Sequence, residues 1–251
     1  MKKWLFFLVL IANNVVAQNS HDFRIHSHND YLQNIPFWNA FSSGASSIEA
    51  DVFLEDNELF VAHTIMEIDT LRNLRNLYLD PLQRSIDRNF IKDLPIQLLI
   101  DIKSEPYATL ETIIRVLKDY PTITKNNDVS IVISGNRPKP TEYDNYPDFI
   151  HFDYQSLDEI SDPSILEKIA LVSLSFRKLS LWNGEGQLQL EDIDKISFVI
   201  KKANAMGKPF RFWATPDSET AWKTLSLLGI EFINTDDPIG CAKYLKTLKE
   251  R

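Results

Sequence analysis

The chain has 251 residues, of which 44% are hydrophobic and 25% are charged, proportions typical of a soluble globular protein. Its 35 acidic residues outnumber its 27 lysines and arginines and give a net charge of −8, which argues against non-specific binding of nucleic acid. Cys241 is the single cysteine, so an intrachain disulfide is excluded.

The amino-terminal residues have the pattern of a secretory signal peptide. Two lysines precede an apolar run from Trp4 to Ala12, and small residues follow up to Ala17. We therefore expect cleavage near Ala17, which leaves one domain over residues 18–251 with no membrane span. Because an exported chain without a disulfide fits a bacterium, we expect a periplasmic or secreted bacterial location.

Strand-like and helix-like segments then alternate along the chain. The patterns predict strands at 23–28, 47–54, 59–63, 96–103, 129–134, 149–152, 171–176, 209–213 and 230–234. They predict helices at 34–44, 71–79, 82–90, 107–119, 164–170, 190–206, 218–228 and 238–248. Seven or eight strand–helix units favour a (β/α)₈ TIM barrel. The alternative is an open doubly wound sheet, which normally carries a glycine-rich loop after its first strand, and the sequence has no such loop.

Acidic side chains accompany two of the predicted strands. Glu49 and Asp51 point the same way because side chains alternate across a strand. Asp101 follows the near-continuous apolar run that ends at Ile100. Carboxylates gathered at one rim of a barrel are the ligands that hard cations prefer, so we expect Glu49, Asp51 and Asp101 to hold one Ca²⁺ or Mg²⁺ ion.

Other polar residues at the strand ends suggest catalysis on a phosphate. His28 and His63 have the chemistry of a general base and a general acid near neutral pH. Lys103 shares a strand face with Asp101 and can balance the charge of a bound phosphate. We expect all three to be catalytic.

Two further residues are predicted to contact the substrate. Arg137 offers a planar guanidinium that suits a phosphate, and Trp213 ends a strand where a pocket wall can form. The pair Asp236 and Asp237 precedes the last predicted helix, and we expect it to cap that helix.

The order of these motifs resembles the superfamily of glycerophosphodiester phosphodiesterases and phosphatidylinositol-specific phospholipases C. The segments that carry the likeness to one branch, which includes the fungal altered-inheritance-of-mitochondria protein (the sixth so named), are His28–Tyr31, Glu49–Val52, Ser134–Pro138 and Phe212–Pro216. The resemblance implies a distorted TIM barrel that cleaves a glycerophosphodiester or a phosphoinositide-like substrate. It implies that His28 and His63 are the two catalytic histidines, that Glu49, Asp51 and Asp101 are the metal acids, and that Lys103 is the lysine beyond them.

The chain also departs from the superfamily pattern. Asn29 and Asp30 stand where the phosphodiesterases usually have Arg-Gly, and Phe37 and Trp38 stand where they have Glu-Asn. Their third acid is usually Glu, whereas this chain has Asp101. We expect Asn29 at the substrate, with its amide oxygen as a further neutral ligand for the metal.

Other functions fit parts of the pattern. A glycoside hydrolase also pairs carboxylates on a barrel rim, but it does not explain two histidines and a lysine. A metal nuclease fits the Asp-x-Lys motif, but the acidic charge argues against it. A catalytically inactive barrel that keeps its metal remains an alternative.

Overall fold

The fold is described by a computed structural model that covers residues 24–92 and 94–249. The predicted signal peptide, residues 1–17, lies outside the described residues. Within them the strands are β1 Arg24–Ser27, β2 Ser47–Glu55, β3 Glu58–Val61, β4 Ile96–Ile102, β5 Val129–Gly135, β6 Ile150–Tyr154, β7 Ile169–Ser175, β8 Phe210–Trp213 and β9 Phe232–Thr235. The helices are α1 Trp38–Ser43, α2 Asp80–Asp87, α3 Pro106–Leu117, α4 Pro121–Thr124, α5 Pro163–Glu167, α6 Leu190–Ala205, α7 Glu219–Leu227 and α8 Pro238–Lys249.

The sheet closes into a barrel. Its strand order is β1-β9-β8-β7-β6-β5-β4-β2, and β1 also pairs in parallel with β2, which completes the ring. Every pairing in the ring is parallel, and helices follow the strands. The predicted (β/α)₈ barrel is therefore confirmed, and the open sheet is excluded. Strand β3 lies outside the ring as the antiparallel partner of β2, as the predicted hairpin requires.

Several element bounds differ from the predicted ones, and three of the differences have a clear local cause. Helix α1 begins only at Trp38, because Pro36 lies in the preceding turn and Phe37 has a left-handed φ of 65°. The segment 71–79 gives a π-helical stretch, Arg75–Leu79, that runs directly into α2. Ile169 belongs to β7 rather than to the preceding helix, because it pairs with Phe152 on β6.

The barrel interior has an apolar layer beneath a polar one. A small cluster of Leu99, Val132, Leu171 and Phe232 fills the lower layer, and these side chains are buried. Two residues further along the same strands come polar side chains, for example Asp101 after Leu99. The larger apolar core lies between the ring and the helices. The polar layer therefore opens only toward the carboxyl ends of the strands, the end at which barrel active sites are built. Within the described residues, no helix is both long enough and apolar enough to cross a bilayer.

Candidate active site

Strand register brings the three predicted metal acids together. Asp51 on β2 is the direct partner of Asp101 on β4, and Glu49 lies two residues before Asp51 on the same face. Each of the three carboxylates places an oxygen within 4.8 Å of the others. Glu49 and Asp51 are buried, and Asp101 is partly exposed.

The cluster carries more negative charge than its lysine can balance. Lys103 places its Nζ 3.0 Å from Asp51 Oδ2 and 3.0 Å from Asp101 Oδ1. Burial disfavours its ammonium, but the two aspartates nevertheless raise the pKa of Lys103. Burial and the nearby Glu49 carboxylate raise the pKa of Asp51 to about 7. The three acids therefore repel one another strongly enough to favour an additional cation.

The donor set fits a hard divalent cation. Asp51 Oδ1 is buried and has no hydrogen-bond partner among the described residues. An unpaired buried carboxylate oxygen is costly, and a bound cation would satisfy it. Because carboxylate oxygens are the preferred ligands of Ca²⁺ and Mg²⁺, the residues that are present suit either ion.

His28 lies at the end of β1 with one ring nitrogen fixed. Its Nδ1 lies 2.6 Å from Asp236 Oδ1, and its Nε2 lies 3.8 Å from Glu49 Oε1. Burial disfavours the charged ring, but the hydrogen bond to Asp236 and the charge of Glu49 raise the pKa of His28. The pair Asp236 and Asp237 was predicted to cap the last helix, and for Asp236 that prediction is wrong, because its carboxylate turns to His28. Asp237 does cap the helix, accepting from Gly240 N at 2.8 Å.

His63 lies on the other side of the acids, beyond the end of β3. Its Nδ1 lies 3.0 Å from Tyr31 Oη and 3.3 Å from Asp51 Oδ2. The buried Tyr31 hydroxyl also lies 2.9 Å from Asp51 Oδ2 and 2.7 Å from Asn29 Oδ1. Both histidines are thus held through Nδ1, which leaves Nε2 of each ring as the nitrogen available to a ligand.

A pocket of about 410 Å³ lies where these side chains meet. Among the described residues it is lined by His28, Glu49, His63, Asp101, Ile102, Lys103, Gly135, Asn136, Gln155, Arg211 and Trp213. Trp213 has a buried Nε1–H with no partner among the described residues. The sequence pattern thus predicted six of the lining residues, and Asp51 lies directly behind them.

Arg137 and Asn29 do not line this pocket among the described residues. The guanidinium of Arg137 donates to Tyr143 Oη at 3.1 Å and to Gly135 O at 2.8 Å, which turns it into the loop after β5. Asn29 accepts from Tyr31 and donates to Asp236 Oδ1 at 3.3 Å, so it lies between the groups that hold the two histidines.

Gly135 has a close-contact role at the pocket wall. Its φ is +67°, a conformation that glycine adopts without the strain a side chain would bring. A Cβ at this position would overlap Asp101 Oδ1 and lie 2.5 Å from Ile102 O. Only glycine at this position allows the Asp101 carboxylate to turn toward the other acids.

Arg211 is the main residue that the sequence pattern did not single out. It is buried on β8, with Nη1 3.1 Å from Glu49 Oε2 and Nη2 3.3 Å from Asp153 Oδ2. The signal was an arginine between two phenylalanines, two residues before Trp213 and therefore on its face of the strand. Arg211 fixes one oxygen of Glu49 and leaves the other directed toward His28 and the pocket.

The buried His26 completes the support beneath Glu49. Its Nε2 lies 2.6 Å from Arg211 Nη1 and its Nδ1 lies 2.7 Å from Ser47 Oγ. Burial and the Arg211 charge lower the pKa of His26 to about 4, so the ring is neutral near pH 7. The same Nε2 also lies 2.9 Å from Glu49 Oε2, so His26 contacts both members of the Glu49–Arg211 ion pair.

Comparison with protein-family models gives two matches in the sequence. Residues 14–95 match the AIM6-like phosphodiesterase domain, and residues 209–239 match the glycerophosphoryl diester phosphodiesterase family. Among curated proteins, the altered inheritance of mitochondria protein 6 homolog of Arthroderma benhamiae is 26% identical over 85% of this chain and 81% of its own length. The protein of Eremothecium gossypii with the same name is 26% identical over 88% of this chain and 69% of its own length.

Solved structures share the fold at low sequence identity. A glycerophosphodiester phosphodiesterase from Parabacteroides distasonis superposes with a TM-score of 0.59 and 14% identity over 92% of this chain and 99% of that one. A calcium-dependent phosphoinositol-specific phospholipase C from a Pseudomonas species superposes with a TM-score of 0.52 and 15% identity over 90% and 93%. Both the fold and the superfamily resemblance predicted from the motifs are confirmed.

The predicted bacterial location is wrong. The curated relatives are fungal proteins, and their name refers to mitochondria rather than to a periplasm or to secretion. The prediction depended on the amino-terminal pattern and the lone cysteine, and neither identifies the kind of organism.

Proposed function

Because this chain is similar to AIM6-like phosphodiesterases and to the glycerophosphodiester phosphodiesterase superfamily, we propose that it is a metal-dependent phosphoric diester hydrolase. We propose a glycerophosphodiester or a phosphoinositide-like molecule as its substrate. The observation that carries the proposal is the convergence of His28, His63, Lys103 and the acid cluster on one pocket of about 410 Å³. A pocket of that size suits a small molecule.

Glu49, Asp51 and Asp101 would hold the divalent cation. When bound, the cation would offset negative charge on the phosphate oxygens. Lys103 already contacts two of these acids and lines the pocket, so its ammonium can contact a phosphate oxygen on the same side. Trp213 lines the same pocket, so its ring can contact the substrate.

The two histidines would carry the protons. One Nε2 removes the proton from the attacking water or neighbouring substrate hydroxyl as its oxygen bonds to phosphorus. The other Nε2, on a protonated ring, gives its proton to the leaving oxygen as the phosphorus–oxygen bond breaks. Asp236 holds His28 through Nδ1, while Tyr31 and Asp51 hold His63 through Nδ1. This arrangement directs both reactive nitrogens toward one bound phosphodiester.

The test is a panel of soluble and lipid phosphodiesters with Ca²⁺ or Mg²⁺, with and without chelator. His28→Ala and His63→Ala should each lower turnover by about 10²–10⁴-fold. His151→Ala is the matched control, because His151 lies on β6 and lines a separate cavity away from the acids. Full activity of both site variants, on any phosphodiester that the wild type cleaves, would exclude the mechanism. Absence of turnover with every substrate and cation would instead favour an inactive metal-binding barrel.

The metal site has its own test. Asp51→Asn should abolish the rise in melting temperature that Ca²⁺ or Mg²⁺ gives the wild type, because the variant loses a charged oxygen at the centre of the donor set. Elemental analysis of the purified wild type provides the second measurement. A wild type that contains no metal and gains no thermal stability from either ion would contradict the site.

A further inference from the structure

Three side chains, Asp236, Asn29 and Tyr31, connect the two histidines by hydrogen bonds, and we call them the histidine link. Asp236 Oδ1 lies 2.6 Å from His28 Nδ1 and accepts from Asn29 Nδ2 at 3.3 Å. On its other side Asn29 accepts through Oδ1 from Tyr31 Oη at 2.7 Å, and this hydroxyl lies 3.0 Å from His63 Nδ1. Asn29 is therefore the middle member of the link.

An amide suits this middle position because it donates on one side and accepts on the other. The carboxylate of Asp236 can only accept, so the Nδ2 of Asn29 has to face it. The Oδ1 of the amide then faces Tyr31, whose hydroxyl has a proton to donate. A carboxylate at residue 29 would have no proton for Asp236, and an apolar side chain would serve neither neighbour. The two neighbours thus fix the orientation of the amide.

The hydroxyl of Tyr31 has one proton and two acceptors within reach. Asn29 Oδ1 lies at 2.7 Å and Asp51 Oδ2 at 2.9 Å. Because Lys103 Nζ already lies 3.0 Å from the same Asp51 oxygen, a tyrosine proton directed at Asn29 leaves both oxygens with a donor. The hydroxyl oxygen can then accept from His63 Nδ1, which leaves the Nε2 of a neutral ring without a proton.

The backbone around Asn29 holds the amide in place. Its φ of 47° and ψ of 37° are left-handed, a conformation that asparagine adopts more readily than most residues. The next residue, Asp30, is buried and accepts from Ser27 Oγ at 2.9 Å and from Phe37 N at 2.6 Å. An amide on a backbone fixed in this way loses little conformational entropy when it bridges its two neighbours.

We propose that Asn29 is a positioning residue that joins the support of His28 to the support of His63, so that both rings present Nε2 to the pocket together. The inference rests on the proposed function, since it assumes that both histidines act on one phosphodiester. Among the described residues Asn29 does not line the pocket, so it acts through Asp236 and Tyr31 rather than on the substrate.

The first experiment records ¹⁵N spectra of the histidine rings of the full chain with Ca²⁺ or Mg²⁺, at a pH at which neutral rings dominate. These spectra show which ring nitrogen carries the proton, and we expect Nδ1 in both His28 and His63 of the wild type. Asn29→Gly keeps the left-handed backbone accessible and removes both bonds of the link. The signals of both rings should therefore shift, and each ring should populate its other tautomer.

Two further variants separate the link from the general order of the loop. Asn29→Asp keeps an oxygen for Tyr31 but loses the donor to Asp236, so it should change the His28 signals more than the His63 signals. Asn57→Gly is the control, because Asn57 is also left-handed, with a φ of 63°, and lies exposed in the turn between β2 and β3. It should leave the signals of both rings unchanged.

Kinetics on a phosphodiester that the wild type cleaves provide the second experiment. Asn29→Gly should lower kcat by about tenfold or more and leave KM nearly unchanged, because Asn29 orients catalytic groups without contacting the substrate. Tyr31→Phe and Asp236→Asn remove the two ends of the link. Their combined effect on kcat should differ from the product of the single effects by about threefold or more, and this difference should vanish when Asn29→Gly is also present.

Three results would overturn the inference. The first is unchanged ring signals of both histidines in Asn29→Gly and Asn29→Asp. The second is independent effects of Tyr31→Phe and Asp236→Asn on kcat in the presence of Asn29. The third is a calorimetric loss of Ca²⁺ or Mg²⁺ affinity in Asn29→Gly, which would make Asn29 a metal ligand. A wild type that cleaves no phosphodiester would refute the proposed function instead, and the ring spectra would still decide whether the link exists.

Discussion

The sharpest prediction concerns the buried guanidinium beneath the acid cluster. Arg211→Met keeps much of the side-chain volume but removes the charge that contacts Glu49 Oε2 at 3.1 Å and Asp153 Oδ2 at 3.3 Å. Both carboxylates are buried, so each would lose a partner that solvent cannot replace. Breaking a buried ion pair in this way costs about 3–5 kcal/mol of the free energy of unfolding.

A matched substitution at the surface sets the scale. Arg75→Met also removes an ion pair, with Asp119 at 2.6 Å, and a contact of Arg75 with the Tyr120 ring. That pair is solvent-exposed, so we expect a loss of about 1 kcal/mol. Urea unfolding followed by circular dichroism measures both losses on one scale.

A divalent cation should separate the two variants further. Removing Arg211 leaves Glu49 with less compensation for its charge, so Ca²⁺ or Mg²⁺ should restore more stability to this variant than it adds to the wild type. The Arg75 variant should respond to the cation as the wild type does. If Arg211→Met costs no more than Arg75→Met, the assignment of Arg211 as the support of Glu49 is wrong.

Two further predictions test the pocket wall and the histidine support. Gly135→Ala should lower the affinity for the cation, because the added Cβ displaces the Asp101 carboxylate. Gly186 has a similar φ of +64° but no atom near an added Cβ, so Gly186→Ala should cost only about 1–2 kcal/mol of backbone strain and leave the cation affinity unchanged. Equal cation affinities of the two variants, measured by calorimetry, would contradict the contact argument. Asp236→Asn should lower turnover by about tenfold or more without changing cation affinity, because it weakens the bond that orients His28; unchanged steady-state kinetics would exclude that role.

The sequence alone determined the barrel and the common face of two of the three clustered acids, Glu49 and Asp51. Alternating strand and helix patterns are local properties, because they reflect which face of each element is buried. The period of two along β2 was enough to put Glu49 and Asp51 on one face. The same reasoning placed His28, His63 and Asp101 near strand ends, and strand ends of a parallel barrel share one rim.

Only the tertiary structure decided which charged groups meet. The register of β2 against β4 sets Asp101 opposite Asp51, and nothing in either segment specifies that pairing. Asp236 turns to His28 although a helix start follows it, because the end of β9 lies beside the end of β1.

Arg137 and Arg211 show that the sequence does not tell which arginine belongs to the site. Arg137 was predicted to contact the substrate and does not line the pocket among the described residues, whereas Arg211 was not predicted and lines it. Each is an arginine near a strand end, yet one is bound within its own loop and the other lies under the acids. A charged side chain takes the partners that lie within a few ångströms of it. That distance depends on how strands from distant parts of the chain pack, which local sequence patterns do not encode.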